Sequence, residues 1–412
     1  MDELFKENAT ACEVCDWINS VPPMHSNQRL SCLRCEHTLL TVQDATATKL
    51  VATCLATLIM FALSLYFSFM GFSSNGASQN ISLLDSVNVL LVQHFTVLGA
   101  IVALTLLVLP ALYLLSILYV AASLLRNHKP RLLLRWLLLT SGAIKPWLMG
   151  DVFLLASLVA VVKLHSLADI HLGLSFWAYC VFTLMILKVI CYADKRWLWN
   201  QCLGPSPKID TINGSSAVSG TAQSQQLAGC KFCGALNPSD QQHCQRCQHV
   251  IRPVKRNLSN TLALLIAATV LYIPANLYPI MNTTFFGSTE HSTIIGGVLL
   301  LWGLKSYPVA ALIFIASVLV PICKILALFW LCWQRFRQNS LTGHQKQRVH
   351  HITEIVGRWS MIDIFVVAIL SALVQLGALM NIVPGSAAAC FCAVVILTML
   401  AAMSLDSRTL WE

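Results

Sequence analysis

The chain has 412 residues, of which 57% are hydrophobic and only 11% are charged, and its mean hydropathy is +0.69. Because soluble domains carry roughly 25% charged residues, this composition excludes a water-soluble globular protein and indicates a polytopic membrane protein. The formal net charge of +9 does not indicate a nucleic-acid partner, because the basic residues lie in connections between apolar segments, where they orient a membrane protein.

Two groups of paired cysteines are predicted to bind metal. Residues 1–48 contain two CxxC pairs, and residues 229–256 contain two more; this spacing lets both sulfurs of a pair face one ion. Four thiolates form the tetrahedral site that Zn²⁺ prefers, with iron in a rubredoxin-like site as the alternative and disulfides disfavoured in a reducing cytoplasm. We predict two closed, structural zinc sites. Their ligands are Cys12, Cys15, Cys32, Cys35, Cys230, Cys233, Cys244 and Cys247.

Eight apolar segments of about 20 residues are predicted to span a membrane. They lie at 49–71, 95–125, 147–167, 173–192, 258–281, 307–334, 361–380 and 385–403. The connections around Arg131 and Arg348 are basic and are predicted to be cytoplasmic, whereas 72–94 and 381–386 contain no Lys or Arg. Because the number of spans is even, both termini and both cysteine groups are then expected in the cytoplasm.

The chain repeats itself. Residues 145–164 align with 357–376 at an offset of 212, which pairs Trp147 with Trp359 and Asp151 with Asp363. We predict an all-α polytopic membrane protein built as a tandem repeat of two four-helix bundles in one orientation, each preceded by a four-cysteine module. The predicted domains are a first cysteine module at 1–48, a first bundle at 49–200, a flexible linker at 201–228, a second cysteine module at 229–256 and a second bundle at 257–412.

Charged residues within the predicted spans are candidates for a transport site, because a charge at membrane depth costs several kcal/mol unless it is paired or hydrated. Lys324 lies deep in the sixth span, and Asp151 and Asp363 lie near the starts of the third and seventh spans. We predict that Lys324 and Asp363 approach each other in a polar network needed for transport. The alternative is a structural role, in which the charges fix helix register or cap a helix.

The segment YIPANLYPI at 272–280 contains Pro274, Asn276 and Pro279. Proline removes an amide donor and clashes with the preceding turn, so the fifth span is predicted to break here, and such breaks often line cavities in transport proteins. The alternative is a simple helix end that leads into an outer loop.

These features together resemble a known family. The two cysteine modules each preceding four spans, PANxxP at 274–279, GRWSMIDIFVVA at 357–368 and DSRTLW at 406–411 are similar to the paraquat-inducible protein A family of Gram-negative inner membranes. The resemblance covers essentially the whole chain. It is weaker in the first repeat, where Tyr113 stands at the position at which the family usually has a lysine matching Lys324.

The resemblance implies a fold in which tetraspanin-like helical bundles are fused to zinc ribbons. It also implies an MCE-class partner, whose rings form a tunnel across the periplasm, and a role in loading or unloading phospholipids at the inner membrane. We expect the outer connections 72–94 and 282–306 to dock on this partner, because they are longer than a tight helical hairpin needs.

Three classes of function remain open from the sequence. The first is a membrane subunit for lipid transfer, the second is a redox protein with iron in the cysteine modules, and the third is an ion-coupled exporter of small solutes that uses Lys324 and the aspartates. The sequence contains no GxxxxGK[ST] motif and no recognisable pairing of a nucleophile with a base. We therefore predict that the protein is not an enzyme.

Overall fold

The protein is mostly helical, and eight helices in the described residues are long and apolar enough to cross a membrane. The computed structural model describes residues 9–22, 28–41, 47–74, 77–93, 95–126, 130–164, 169–204, 220–251, 257–285, 288–303, 305, 307–336, 343–373 and 380–411. The eight apolar helices confirm the prediction of a multi-pass membrane protein. Large apolar side chains such as Ile59, Leu184 and Val270 face outward around the helices, a surface suited to lipid and unsuited to water.

The described residues of the first half, 47–203, contain eight α-helices. They are α1 Ala47–Tyr66, α2 Leu83–Val92, α3 Thr96–Ala103, α4 Leu109–Leu125, α5 Arg131–Ile144, α6 Gly150–Leu164, α7 Leu174–Tyr192 and α8 Lys195–Leu203. The second half, residues 257–411, follows the same order. Its helices are α9 Asn257–Leu277, α10 Ile294–Gly303, α11 Tyr307–Phe314, α12 Val320–Phe336, α13 Gly343–Trp359, α14 Ile362–Leu373 and α15 Ser386–Ser404.

Two of the membrane-spanning candidates begin earlier than predicted. The third runs from Arg131 and the seventh from Gly343, because α5 and α13 precede the apolar helices α6 and α14. Both preceding helices carry arginines along with their apolar residues, so a search for uninterrupted apolar runs does not detect them.

A π-helical turn lies in the same place in each half. Leu104–Val108 joins α3 to α4, and Ile315–Leu319 joins α11 to α12. Pro110 and Pro321 follow these turns. Proline lacks an amide hydrogen and its ring clashes with the carbonyl four residues earlier, so a locally widened helix accommodates it.

Small β-sheets add to the predicted all-α fold. Strand β5 Met70–Ser74 pairs with β6 Ala77–Ile81 and with β7 Asp169–Leu172, and in the second half β10 Met281–Phe285 pairs with β11 Ser288–Ser292 and β12 Met380–Pro384. All four pairings are antiparallel. The sheets lie at the ends of α1 and α9 that face away from the cysteine modules. The short strands of the modules are β1 Thr10–Ala11, β2 Ile18–Asn19, β3 Arg29–Ser31, β4 Thr38–Thr41, β8 Leu227–Gly229 and β9 Leu236–Pro238.

A glycine closes each three-stranded sheet onto the helix that follows it. Gly173 donates its amide to the carbonyl of Phe69 at 3.0 Å, and Gly385 donates to that of Ile280 at 2.8 Å. A Cβ atom on Gly173 would overlap the Ser68 carbonyl oxygen, and one on Gly385 would overlap that of Pro279. Only glycine permits this approach of two backbone segments.

The core lies where the halves meet, between α6 and α14. The ring centroids of Phe153 and Phe365 are 5.5 Å apart in an edge-to-face arrangement, a favourable geometry for two aromatic rings. Helix α14 also packs against α2, where the Ser371 hydroxyl lies 3.1 Å from Oε1 of Gln93. The two halves therefore form one continuous core.

Candidate functional site

Each of the four cysteine pairs forms the same tight turn. The residue after the second cysteine has positive φ in all four, with values of 59° at Asp16, 58° at Glu36, 74° at Gly234 and 58° at Gln248. Its amide donates to the carbonyl of the first cysteine at 2.8–3.0 Å, and the amide of that first cysteine donates to the carbonyl two residues beyond the pair at 2.9–3.0 Å. These bonds hold the two thiols of a pair together.

The thiols of each module form one buried cluster in which all four sulfur atoms lie within 4.8 Å of one another. A tetrahedral ion with metal–sulfur bonds of about 2.3 Å requires sulfurs about 3.8 Å apart, whereas a disulfide bond is about 2.05 Å long. The observed spacing fits a shared metal ion far better than a disulfide. The closest sulfur pairs are Cys12–Cys35 at 3.5 Å, Cys15–Cys32 at 3.5 Å, Cys230–Cys247 at 3.4 Å and Cys233–Cys244 at 3.5 Å.

One asparagine supports each cluster, which the sequence analysis did not detect. The side-chain amide of Asn19 lies 3.6 Å from the sulfur of Cys32, and that of Asn237 lies 3.5 Å from the sulfur of Cys244. Hydrogen bonds, from Cys12 first and from Cys230 first respectively, lower the pKa of the Cys32 and Cys244 thiols, and the pKa values of the other thiols in the clusters shift in both directions. The amide N–H of each asparagine favours a thiolate at the sulfur beside it, and the thiolate is the form that binds metal.

The two modules meet each other and the ends of both halves at one junction. Lys195 pairs with Glu13 at 2.6 Å and donates to the carbonyl of Lys231. On the other side, Arg408 lies 2.9 Å from Asp406 and 3.7 Å from Asp16. Burial alone would raise the pKa of the Asp406 carboxyl, but the hydrogen bonds and charge of Arg408 outweigh it and hold the pKa below its usual range.

Each module then packs mainly on the opposite half. The first module lies against the end of the second half, where the Arg34 guanidinium is 5.0 Å from the ring centroid of Trp411. The second module lies against the first half, where the ring of Phe232 contacts Gly142 of α5 and Arg246 donates to Asn200 and to the carbonyl of Gly204. Each cysteine module therefore packs against the half of the chain that it does not directly precede.

A cavity of about 520 Å³ lies between the halves and is called the interhalf cavity below. The first half contributes the junction of α5 with α6, part of α7 and Pro110, and the second half contributes Lys324 and parts of α13 and α15. Its volume is within the range of roughly 300–1,000 Å³ found for ligand sites. Apolar side chains, including Ile186, Leu187 and Met399, form much of its wall.

The charged side chains of this cavity differ in exposure. Lys324 is only 4% exposed and makes no hydrogen bond or ion pair with any residue that the structure describes. Its ammonium group lies where a side chain at position 357 would be, because Gly357 leaves that space open. In contrast, Lys145, His351 and Glu354 are exposed.

Arg358 connects the two halves at the cavity. Its guanidinium donates to the carbonyl of Leu148 at 2.8 Å and lies 3.3 Å from the carboxylate of Asp151. Arg358 was not predicted from sequence, since its equivalent position in the first half is Pro146. A basic residue at the end of a basic helix gives no indication that it reaches the other half.

The predicted transport residues lie in three different places. Lys324 and Asp151 line the interhalf cavity, whereas Asp363 is 7% exposed and is not among the lining residues. No ion pair joins Lys324 to Asp363 among the described residues. The residues of the PANxxP segment lie elsewhere.

The PANxxP segment forms the end of a helix. Helix α9 continues through Pro274 to Leu277, and the side-chain amide of Asn276 donates to the carbonyl of Tyr272 at 2.9 Å. The carbonyl of Pro279 accepts a hydrogen bond from the amide of Ala387 at 3.2 Å. These residues connect α9 to the sheet of the second half and do not line the interhalf cavity.

Comparison with known families and proteins gives a consistent result. The family model described as paraquat-inducible protein A matches residues 47–202 and 258–412. The chain is 38% identical over 402 residues to the intermembrane transport protein PqiA of Escherichia coli (strain K12), an alignment that covers 97% of this chain and 95% of the relative.

Two more distant relatives also match over nearly their full length. A probable intermembrane transport protein of Haemophilus influenzae is 28% identical, with coverage of 97% of this chain and 95% of the relative. The lipophilic envelope-spanning tunnel protein A of Escherichia coli (strain K12) is 27% identical, with coverage of 100% and 93%. No solved structure matches the chain.

Proposed function

The chain belongs to the paraquat-inducible protein A family, and from this premise we propose that it is the inner-membrane subunit of a system that moves phospholipid between the membranes of a Gram-negative envelope. Its relatives are named as intermembrane transport proteins and as an envelope-spanning tunnel protein. In this proposal the subunit loads or unloads lipid at an MCE-class tunnel and so supports the outer-membrane barrier. In this proposal the protein acts as a transport subunit and not as an enzyme.

The interhalf cavity is the observation that carries this proposal. It combines a wall of apolar side chains with charged groups, and amphiphiles require both features of a binding site. The protein has eight apolar helices and therefore resides in the membrane that supplies such molecules. In this proposal both termini and the cysteine modules lie in the cytoplasm, an orientation that the basic connections on that side support.

Docking of the partner is proposed at the two three-stranded sheets. They lie at the opposite ends of α1 and α9 from the modules, and therefore face the periplasm in this orientation. Photocrosslinkers at the exposed positions Asn80 and Thr289 are expected to capture an MCE protein in cells. The matched control is the exposed Gln248 of the second module, which should not capture it. Failure at both sheet positions in a protein that still supports barrier function would contradict the docking.

We further propose that the two four-cysteine clusters hold zinc. All eight sulfurs are committed to two closed sites, which is typical of structural zinc. Elemental analysis of purified protein is expected to give about two zinc per chain. Stoichiometric iron with visible thiolate absorption would contradict zinc and would support the redox function instead.

A transport role is proposed for Lys324 and Asp151, which line the interhalf cavity, and for Asp363, which lies outside its lining. Lys324→Ala, Asp363→Ala and the double variant are each expected to reach normal abundance in the membrane yet to lose barrier function in cells that lack redundant pathways. Full function in the single variants, or recovery in the double variant, would show that these charges only fix the packing of the helices.

The matching order of elements in the two halves supports a tandem duplication. The proposed duplication explains why the π-helical turns, the prolines after them and the sheet-closing glycines recur at corresponding positions. It also explains the edge-to-face contact between Phe153 and Phe365, which are equivalent at the offset of 212 and meet between the halves.

A further inference from the structure

Among the residues that the structure describes, Lys324 is a buried positive charge of the interhalf cavity that no other residue neutralises. Arg358 and Asp151, at the same cavity, form an ion pair with each other, and Lys145 and Glu354 are exposed to solvent. Lys324 is buried and makes no ion pair within the described residues. A buried ammonium group is stabilised when an anion accompanies it, so the group that belongs beside Lys324 is negatively charged.

The cavity also requires an apolar part in its occupant. Its wall passes from Lys324 and Arg358 to Ile186, Leu187 and Met399. Two further lining residues, Ile355 and Met403, are 50% and 40% exposed, and Leu187 is 47% exposed. These side chains lie where the cavity meets the outer, lipid-facing surface of the helices. The cavity can therefore receive a molecule whose chains remain in the bilayer.

The position of the cavity along the helices selects one leaflet. Ile186 and Leu187 lie in the last two turns of α7, which ends at Tyr192, and Met399 and Met403 lie in the last two turns of α15, which ends at Ser404. Both helices end at the side that carries the cysteine modules. The three-stranded sheets are at the other end of the same helices.

From these three observations we propose that the interhalf cavity binds the headgroup of a phospholipid from the leaflet on the module side, with its phosphodiester at the ammonium group of Lys324. The proposal rests on the function proposed above and specifies its ligand and its point of entry. The exposed Glu354 and the paired Arg358 and Asp151 surround the part of the headgroup beyond the phosphate.

Labelling of the full-length protein tests this site directly. The probe is a phosphatidylglycerol with a diazirine in one acyl chain, mixed with purified protein in detergent, and the labelled residues are read by mass spectrometry. Labelling is expected on α7 and α15 near Leu187 and Met399. Lys324→Met should reduce it about tenfold, which corresponds to about 1.4 kcal/mol, while Lys324→Arg should retain most of it.

Several controls separate the possible outcomes. Lys188→Met removes an exposed lysine of α7 that lies over Tyr192 and outside the cavity, and it should leave labelling unchanged. A fatty acid carrying the same diazirine should label weakly, and inorganic phosphate should not displace the lipid probe. Equal labelling by the fatty acid, displacement by inorganic phosphate, or full labelling of Lys324→Met would each overturn the proposed site.

This experiment is independent of the partner and of transport. Normal labelling of a chain that captures no MCE protein in cells would support the lipid site and contradict the proposed function. Capture of the MCE protein by a chain that the lipid does not label at the cavity would contradict the site alone. Thermal unfolding of each variant distinguishes a lost site from a lost fold.

Discussion

The two halves of the chain share the order of their main helices and strands but differ at the cavity between them. Both contain a π-helical turn before a proline, a three-stranded sheet and a glycine that closes the sheet. At the cavity, however, Lys324 corresponds to Tyr113, Gly357 to Lys145 and Arg358 to Pro146. The features demanded by backbone geometry are repeated, whereas the basic groups of the cavity are not. Asp151 has an acidic equivalent in Asp363, but only Asp151 lines the cavity.

This difference shows how two halves with a similar order of elements enclose one cavity with unequal charges on its two sides. Two equal halves would place equal charges on both sides of their interface. Here the second half supplies a buried ammonium group and an arginine that reaches Asp151 of the first half. The halves are therefore equivalent as scaffolds and unequal at the site, and variants made at corresponding positions can test each part of this statement.

The largest expected effect concerns the cysteine modules. The cluster of the second module belongs to the main core of the protein, whereas that of the first module forms a small separate core with Trp17 and Trp411. Cys32→Ser and Cys244→Ser should each remove one metal ion, which in small zinc modules contributes about 10–16 kcal/mol of apparent folding free energy. Cys244→Ser should reduce the abundance in membranes more than Cys32→Ser, as measured by immunoblotting and metal analysis.

Equal losses of membrane abundance in Cys32→Ser and Cys244→Ser would contradict the expected difference between the two modules. Leu33→Ser changes an exposed residue of the first module and provides a control, since it should preserve both metal ions.

The next effect concerns two tryptophans at corresponding positions. Trp199 is almost completely buried against the first half, whereas Trp411 is partly exposed and contacts Arg34 and His344. Trp199→Ala should lower the free energy of unfolding by about 3–5 kcal/mol, and Trp411→Ala by about 1 kcal/mol. Denaturation monitored by limited proteolysis measures both values. Losses of similar size would mean that the segments carrying Trp199 and Trp411 are packed equally tightly.

The sequence predicts some parts of this architecture well, for physical reasons. A membrane-spanning helix requires about 20 apolar residues, and a four-thiolate site requires paired cysteines at short spacing, so the eight spans and the two clusters can be read from local patterns. The buried position of Lys324 also follows from its place within an apolar run.

Other parts depend on contacts between distant residues. Strand β7 pairs with β5 across nearly the whole first half, and no local pattern identifies a partner at that distance. The packing of each module on the opposite half could not be predicted from sequence. The segments DKRWLW at 194–199 and DSRTLW at 406–411 are similar, so they do not indicate which module each of them contacts. The predicted meeting of Lys324 with Asp363 rested on depth in the membrane alone, and depth does not determine which way a side chain faces around its helix.

A third prediction tests whether the two halves respond equally when the glycine beside each three-stranded sheet is replaced. Gly173→Ala and Gly385→Ala each place a methyl group against a backbone carbonyl, so both should destabilise the protein by about 1–3 kcal/mol, the usual cost of overpacking. The two losses should agree closely in thermal unfolding. Gly297→Ala is the control, since a Cβ atom there meets nothing within 4 Å. A loss at only one of the two closing positions would show that the scaffolds are not equivalent.

The smallest expected effect concerns Arg358, which contacts both halves at the cavity. Its ion pair with Asp151 is partly exposed, with side-chain exposures of 36% and 45%, and solvent-screened pairs of this kind contribute only about 0.2–1 kcal/mol. The hydrogen bond to the carbonyl of Leu148 adds about 1 kcal/mol. Arg358→Ala should therefore lower the free energy of unfolding by about 1–2 kcal/mol, with little loss of abundance.

A double-variant cycle with Asp151→Asn isolates the pair from the hydrogen bond, because only the pair is removed by both changes. The coupling should be below about 1 kcal/mol and should decrease as salt is added, since screening weakens an exposed pair. Arg348→Ala, on an exposed position of the same helix, is the matched control and should change stability by less than about 0.5 kcal/mol. A coupling well above 1 kcal/mol would mean that Arg358 holds the halves together. A weak coupling means that the shared core around α6 and α14 holds them and leaves the charges at the cavity available for a ligand.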